Sequence, residues 1–295
     1  MSHDAKRGED VRWRLSVLSE WPERWERAVW QWSRMTRAHR QDELPDRAAE
    51  YLVYQTLVGA WPISADRLQT YLLKAMREAK LRTSWTAPDE AYETALLGFC
   101  SGCLGNLEFL ASLEAFVGEL QRPAQMTGLS AKLLALTAPG VPDVYQGAEL
   151  WDLRLVDPDN RGPVDFELRA AMLDEAERLP AERCWEQADQ GLAKLLLVTR
   201  ALRLRLRSPE AFDAAYQPLA VVGDRSANLL ASLRGERVIV LAPRLLTQVL
   251  DGWGDTSVEL PPGGWHDELT GSEVGGGRRA VGDLLQRFPV GLLSR

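Results

Sequence analysis

Residues 132–166 read K-L-L-A-L-T-A-P-G-V-P-D-V-Y-Q-G-A-E-L-W-D-L-R-L-V-D-P-D-N-R-G-P-V-D-F, and this stretch decides the fold class. It opens as an apolar helical run that Pro139 and Gly140 stop. Residues 141–145 have the composition of a short buried strand, although Pro142 restricts it to an irregular or edge position. A loop rich in hydroxyl-binding side chains follows: Gln146, Glu149, Asp152, Asp157, Asp159, Asn160, Arg161 and Asp165. A buried strand that leads into a polar loop is typical of α/β barrels, whose sites lie at the C-terminal ends of the strands.

Length and composition favour a globular chain of two domains. It has 295 residues, with 45% hydrophobic and 26% charged side chains. The net charge of −7 argues against a nucleic-acid partner. The 11 Trp residues are unusual; they suit stacking on sugar rings and also packing between helices.

The three cysteines do not indicate a metal or redox site. Cys100 and Cys103 form a C-x-x-C, but no second Cys or His pair completes a zinc site. They lie in an apolar helical stretch, which favours buried core thiols. The sequence shows no signal peptide and no apolar run of membrane length, so we expect a cytoplasmic protein without a membrane partner.

Residues 11–122 predict a series of helices without a strand. Val11, Leu15 and Leu18 share one helical face, and Asp46 and Ser64 are suited to cap later helices. Further helices are predicted from about residue 88 and over 106–120. So many consecutive helices are typical of an insertion after a barrel strand.

The last third of the chain changes from helix to strand. Helices are predicted over 167–179 and 192–207, although alternating Leu and Arg in the second leaves a strand as the competing prediction. Short β-favouring runs follow at 219–222, 229–233, 238–241, 258–260 and 289–293. Residues 261–264 and 275–277 are predicted loops. This spacing predicts a small antiparallel β-sandwich.

Four motifs resemble a known family. P-G-V-P-D-V-Y-Q-G-A-E-L (139–150) resembles the last barrel strand of the α-amylase family, glycoside hydrolase family 13. W-D-L-R-L-V-D-P-D-N-R-G-P-V-D-F (151–166) resembles maltooligosyl trehalose synthases in particular. S-H-D-A-K-R-G-E-D-V-R (2–12) and K-A-M-R-E-A-K-L-R-T-S-W-T-A-P-D-E-A-Y-E (74–93) also resemble that family, but Ala5 replaces an expected Thr. The resemblance covers essentially the whole chain and only the C-terminal portion of the family's sequence.

The resemblance implies an α/β plus all-β fold: the C-terminal part of an α-amylase-type (β/α)8 barrel with a large helical insertion, followed by the small antiparallel β-sandwich domain. Residues 1–8 would end the region of barrel strand 7, and 9–128 would form the helical subdomain. Residues 129–207 would hold the last barrel strand, the site loop and two helices, and 208–295 the β domain.

The resemblance also implies site residues. Asp4 would stabilise the transition state, and His3 would contact the sugar beside it. Substrate-binding residues would be Lys6, Arg7, Lys74, Trp85, Tyr145, Asp157, Asp159, Asn160 and Arg161. The residues alone leave alternatives open: a frayed N-terminus, a solvated basic face at Lys74 with Trp85 filling a helix junction, and an Asp157–Arg161 pair that only holds the loop.

The implied activity is that of an isomerase: the reducing-end α-1,4-linked glucose of a maltooligosaccharide is rejoined as an α-1,1-linked trehalose end, without metal or cofactor. A retaining mechanism needs two carboxylates roughly 5 Å apart. The family segments that carry the nucleophile and the acid/base are absent here, so we expect the isolated chain to be inactive. One alternative is a non-catalytic carbohydrate-binding half of a split enzyme, completed by a separate chain with the N-terminal barrel. Another is a different α-amylase-family activity, against which residues 151–161 argue.

Overall fold

The structure, a computed structural model, describes residues 6–295 of the chain. Backbone contacts divide it into two compact units. The first unit contains the described residues up to Ala124 together with Leu153–Gly162, and the second contains Gln125–Asp152 and Pro163–Arg295. Residues 153–162, the central part of the predicted polar loop, are therefore packed with the early helices, far from them in sequence.

The first unit is helical, as the sequence predicts. Its helices are α1 (Glu9–Ser16), α2 (Pro22–Met35), α3 (Arg47–Ala60), α4 (Ala65–Ala79), α5 (Glu90–Gly105) and the first part of α6 (Leu107–Thr137). The predicted caps are confirmed, since the side chain of Asp46 accepts from backbone N–H groups of α3 and that of Ser64 from one of α4. Asp89 caps α5 in the same way.

Aromatic rings fill the core of the first unit. Trp32 is fully buried, and its ring meets those of Trp25, Tyr54, Phe109 and Phe116 at centroid distances of 5.4 to 5.8 Å. Most of these contacts are edge-to-face, an arrangement that aromatic pairs favour. Packing between helices therefore accounts for part of the high Trp content, as one of the two interpretations predicts.

Helix α1 is anchored on α3. A side chain at Gly59 would place its Cβ 2.8 Å from Val11, so the glycine permits a close approach of the two helices. The buried guanidinium of Arg14 donates to the carbonyl of Trp61 at 2.7 Å, just beyond the end of α3. Burial lowers the pKa of Arg14 to about 10. These contacts fix the start of the described chain against the helical core.

The C-x-x-C pair lies in the same core. Cys100 and Cys103 are free thiols on α5, and both are fully buried. Burial raises the pKa of Cys100 to about 12, which keeps the thiol protonated. The prediction of core thiols is confirmed.

Helix α6 is longer than predicted. It runs for 31 residues through Pro123, whereas the sequence predicted a helix over 106–120 and a separate apolar run near Leu133. Both belong to one helix because Leu129, Leu133 and Leu136 continue its buried face in the core of the second unit. The predicted stop before Pro139 is confirmed, since α6 ends at Thr137.

The strand predicted at residues 141–145 is wrong. The segment has no strand assignment among the described residues, and Val141 is 96% exposed. A strand requires a ladder of hydrogen bonds to a neighbour, and Pro142 also lacks the N–H needed to donate one. Every named strand pair in residues 6–295 is antiparallel, so the parallel (β/α)8 barrel is not confirmed.

The second unit combines helices with a sheet. Its helices after α6 are α7 (Phe166–Arg178), α8 (Ala181–Glu186), α9 (Leu192–Arg207), α10 (Pro209–Asp213) and α11 (Val281–Leu284). The predicted helices over 167–179 and 192–207 are confirmed as α7 and α9. For α9, the competing strand prediction is wrong, because Leu192, Leu196 and Leu204 form one buried helical face.

Seven strands form one antiparallel sheet: β1 (Tyr216–Pro218), β2 (Val221–Val222), β3 (Leu229–Arg234), β4 (Val238–Pro243), β5 (Ser257–Asp267), β6 (Glu273–Ala280) and β7 (Gly291–Ser294). Their order is β1-β3-β4-β7-β5-β2, with β6 also paired to β5. Each of the five β-favouring runs contributes to a strand. The strands join into a single sheet, so a sandwich of two separate sheets is not confirmed.

The two loops predicted within this region are strands instead. Pro261 and Pro262 lie inside β5, where the register with β6 shifts between Leu260 and Gly264. A shift of this kind accommodates prolines that cannot donate to a ladder. Residues 275–277 lie in the facing strand β6. Gly and Pro therefore mark an irregular ladder here and not a turn.

Of the helices in residues 6–295, none is by itself both long and apolar enough to cross a membrane. Helices α5 and α6, bent by 77° at their junction, satisfy the length and composition criteria only as a pair.

Candidate functional site

The first described residues pair with the predicted site loop. Arg7 forms an antiparallel bridge with Leu155. On either side, Gly8 N donates to the Arg154 carbonyl at 3.0 Å and Val156 N to the Lys6 carbonyl at 3.4 Å. Leu155 is fully buried in the core of the first unit, which anchors this pairing. His3 and Asp4, the predicted catalytic residues, lie outside the described residues.

Asp159 ties the loop to α4. Its carboxylate accepts both Arg67 Nε and Nη2, at 2.7 and 2.8 Å, in a bidentate arrangement. The same carboxylate accepts the backbone N–H of Leu155 at 2.6 Å. Asp159 also begins a single 3-10 turn that ends at Arg161. The turn is therefore fixed from two directions.

Lys74 holds the same loop one residue before Pro158. Its ammonium donates to the Asp157 carbonyl at 2.5 Å and lies 3.7 Å from the Asp157 carboxylate. It also lies 4.0 Å from Glu78, whose carboxylate pairs with Lys6 at 2.6 Å. Lys6 has a φ of 58°, a left-handed conformation that is costly for a residue with a Cβ. Contacts at both its carbonyl and its ammonium offset that cost.

The alternative interpretation of Asp157 and Arg161 is present in the structure. Arg161 Nε lies 2.6 Å from the Asp157 carboxylate. The Arg161 side chain is nevertheless 74% exposed. A guanidinium carries five N–H donors, so the pair can hold the loop and still offer donors to a ligand.

Asn160 sits between these groups. The backbone carbonyl of Asn160 accepts a hydrogen bond from Arg154 Nη1 at 3.4 Å. The same guanidinium nitrogen donates to the backbone carbonyl of Gly162, also at 3.4 Å. The side chain of Asn160 is half-buried.

Two cavities flank this arrangement, and both lie in the first unit. One, of about 440 Å³, is lined by Lys6, Arg7, Leu52, Tyr71, Ala75, Glu78 and Ala79. The other, of about 150 Å³, is lined by Asp66, Arg67, Thr70, Tyr71, Val156, Pro158 and Asp159. Tyr71 contributes to both. Each cavity combines charged donors or acceptors with an aromatic ring, the combination that neutral sugars require.

Trp85 lies on the turn after α4. Its ring is 57% exposed, and the Arg77 guanidinium stacks over it at 4.9 Å. It does not fill a helix junction, so that alternative is wrong. Lys74 is half-buried and paired with the loop, so it is likewise not part of a freely solvated face.

Glu93 braces the Trp85 turn. Its carboxylate accepts Arg77 Nε at 2.8 Å, Arg77 Nη2 at 2.6 Å and the Thr83 hydroxyl at 2.6 Å. Thr83 in turn accepts the backbone N–H of Asp89 at 3.0 Å. The hydrogen bonds from Arg77 lower the pKa of Glu93 to about 2. Trp85 is thus presented by a turn with a fixed shape.

The structure thus brings seven predicted residues together: Lys6, Arg7, Lys74, Asp157, Asp159, Asn160 and Arg161. Trp85 lies on the turn after α4. Tyr145 belongs to the second unit, where it is half-buried. In that unit the Glu149 carboxylate pairs with Arg169, and Asp165 caps α7.

Sequence reasoning missed Arg67 and Glu78. A weak signal was available, because Arg67, Lys74 and Glu78 are spaced by seven and four residues and therefore share one face of a helix. The spacing does not indicate which segment that face contacts.

The chain is similar to proteins named maltooligosyl trehalose synthase. It is 38% identical over its whole length to putative maltooligosyl trehalose synthases of two Mycobacterium tuberculosis strains. The structure of maltooligosyltrehalose synthase from Arthrobacter ramosus matches the whole chain with 42% identity and a TM-score of 0.89. A hypothetical maltooligosyl trehalose synthase of Sulfolobus tokodaii matches with 28% identity and a TM-score of 0.79.

This chain spans about 37% of the Mycobacterium proteins and 38% of the Arthrobacter and Sulfolobus chains. No protein-family model matches it. The resemblance to maltooligosyl trehalose synthases that the motifs indicate is confirmed, since relatives with that name match the whole chain.

Proposed function

We propose that this chain is part of a maltooligosyl trehalose synthase and forms one wall of its glucose-binding site. The proposal is supported by relatives of that name, which match the chain over its whole length. The reaction would break the α-1,4 bond between C1 of the penultimate glucose and O4 of the reducing-end glucose. The same C1 would then bond to O1 of the reducing-end glucose as an α-1,1 link, while the released O4 gains the proton that O1 loses. Atoms and electrons balance within one substrate, so no redox partner is needed.

One observation carries the proposal: residues 6–8, the 154–161 loop and one face of α4 form a single network within the first unit. The contacts run from Lys6 through Glu78 and Lys74 to Asp157, and from Arg67 to Asp159. Since the motif resemblance assigns sugar contacts to both chain segments, their pairing supports a shared site. The resemblance gives Asp4 the role of stabilising the transition state and His3 that of contacting the sugar, and both residues precede the described part of the chain.

The loop carboxylates are held by cationic side chains. Asp157 lies within reach of Lys74 and Arg161, and Asp159 accepts both Nε and Nη2 of Arg67. These contacts commit both carboxylates to holding the loop in one conformation. We therefore propose that the wall orients hydroxyls through Arg161 and Asn160, while Trp85 stacks on a sugar ring beyond it. Arg7 and Tyr145 remain proposed sugar contacts.

We propose that the isolated chain binds maltooligosaccharide without turning it over. Incubation with maltopentaose, followed by chromatography of the products and a reducing-end assay, tests this. The expected result is unchanged maltopentaose, with saturable binding in calorimetry. Loss of reducing ends catalysed by the chain alone would refute the assignment of the loop as a binding wall.

The paired loop carboxylates also favour a second candidate, a carbohydrate-binding and assembly half of a split α-amylase-family enzyme. It differs from the first in requiring a separate chain with the remaining catalytic groups. Activity regained on mixing with such a chain, at a rate that saturates with its concentration, would favour the split enzyme. A cytoplasmic location and the lack of a nucleic-acid partner remain proposals from the sequence.

A further inference from the structure

A third cavity of the first unit lies away from the loop, between α2 and α3. Its volume is about 310 Å³, at the lower end of the range that small-ligand sites occupy. It is lined by Val29, Trp30, Ser33, Arg47, Glu50, Tyr51 and Tyr54. None of these residues belongs to the network described above.

Two aromatic rings of this cavity are exposed although their neighbours are buried. Trp30 is 58% exposed and Tyr51 is 40% exposed, whereas Trp25 and Trp32 on α2 and Tyr54 on α3 pack into the core. The Tyr51 hydroxyl accepts Trp25 Nε1 at 2.8 Å, so this ring is held in position from behind. Two large exposed rings at the same cavity indicate a surface on which the apolar face of a ligand can stack.

The two charged residues that line the cavity, Arg47 and Glu50, carry opposite charges. Arg47 Nη1 donates to the Ser33 hydroxyl at 2.7 Å and to the Glu50 carboxylate at 2.8 Å. Glu50 is buried and also accepts the Tyr54 hydroxyl at 3.0 Å. The carboxylate offsets the guanidinium, so an anionic ligand gains little from Arg47. Arg47 itself is exposed and keeps N–H donors for a neutral oxygen.

We infer that the cavity between α2 and α3 binds a neutral pyranose ring, as a second carbohydrate site. A pyranose presents an apolar C–H face, which suits Trp30 and Tyr51, and a rim of hydroxyls, which suits Arg47 and Ser33. A purely apolar ligand would remove water from the Arg47–Glu50 pair without replacing its hydrogen bonds. The choice of an α-1,4-linked glucan as the sugar rests on the proposed function.

The test follows the indole N–H resonances of the whole chain, labelled with ¹⁵N at Trp, during titration with maltotriose. Trp30→Ala and Trp85→Ala assign the two signals, and both rings are more than half exposed, so neither change should unfold the chain. The site predicts a saturable shift of the Trp30 signal that persists in Trp85→Ala. It also predicts that the wild-type chain binds maltotriose at two sites, as measured by titration calorimetry. Trp85→Ala and Trp30→Ala should each lose one of these two sites.

The outcomes separate the two proposals. A Trp30 signal that does not move while Trp85 titrates overturns this site and leaves the proposed function standing. A Trp30 signal that titrates while Trp85 stays still supports this site and counts against the loop wall. Glucose 6-phosphate and indole are comparison probes: tighter binding of either than of glucose to the Trp30 cavity overturns the assignment to a neutral sugar.

Discussion

Asp159 shows how one side chain can fix a loop through a residue far away in sequence. Its partner Arg67 lies 92 positions earlier, on α4. The neighbouring Asp157–Arg161 pair could be predicted from the sequence, because four residues on a turn bring the two groups within reach. Arg67 could not be predicted, since its contact depends on how α4 packs and no local pattern links it to the loop.

Replacing Arg67 by Lys tests whether this anchor positions the wall. Lysine keeps the charge but cannot form the two parallel hydrogen bonds to Asp159. We expect maltotriose to bind about tenfold more weakly, equivalent to about 1.4 kcal/mol, because the loop loses its fixed position. Titration calorimetry measures the change.

The matched control is Arg178→Lys, since Arg178 is exposed and forms only a loose pair with Asp174. It should bind maltotriose like the parent chain. Equal affinity of Arg67→Lys and the parent chain for maltotriose would show that the bidentate Arg67–Asp159 pair does not position the wall.

Glu93 makes the stability of the turn that carries Trp85 depend on pH. Its pKa is lowered from 4.5 to about 2 in the folded chain, so its stabilising effect is complete above pH 4.5 and is lost as the pH falls towards 2. After discounting for solvent screening, we expect a loss on the order of 1 kcal/mol. Thermal unfolding between pH 5 and pH 3 measures it.

In Glu93→Gln, the Thr83 and Arg77 contacts no longer depend on a titrating carboxylate. This variant should be less stable at pH 6 and should lose less of its stability between pH 5 and pH 3 than the parent does. Identical pH slopes for the two proteins would show that Glu93 contributes nothing to the acid sensitivity.

At the level of elements, helix α4 organises the candidate site. One face carries Arg67, Lys74 and Glu78, and the turn after it carries Trp85. Arg67 and Glu78 are about 16 Å apart along the axis, from a rise of about 1.5 Å per residue. The sequence predicted α4 and its Ser64 cap because both depend on local patterns. It did not predict β5 through Pro261 and Pro262, because a ladder with an irregular register depends on the facing strand.

The close approach of α1 to α3 at Gly59 predicts opposite effects for two similar substitutions. In Gly59→Ala the new methyl group would lie 2.8 Å from the buried Val11 side chain, so that side chain or α1 must shift and the melting temperature should fall. In Gly98→Ala, on α5, nothing lies within 4 Å, and the helix should gain about 0.5–1 kcal/mol. Differential scanning calorimetry compares the two, and a stabilised Gly59→Ala would contradict the packing described.

At the scale of the whole molecule, the change from helix to strand was predictable because composition and spacing change along the chain. The grouping of Leu153–Gly162 with the first unit was not, since a short polar loop gives no local sign of the helices it packs against. The strand at 141–145 was predicted from composition and resemblance, and it failed because ladder pairing is not a local property. Residues 6–8 pair with the predicted site loop, whereas Tyr145 lies in the other unit, and the roles assigned to these residues remain predictions.

The central claim is that this chain supplies the glucose-binding wall of a maltooligosyl trehalose synthase. The most direct test replaces the matching 38% of the Arthrobacter ramosus synthase with this chain and assays the chimera with maltopentaose. We predict loss of reducing ends without release of glucose, and a loss of activity of at least about a hundredfold in the chimera with Asp4→Asn. A cooperatively folded chimera that only releases glucose, or that works equally well with Asp4→Asn, would contradict the account.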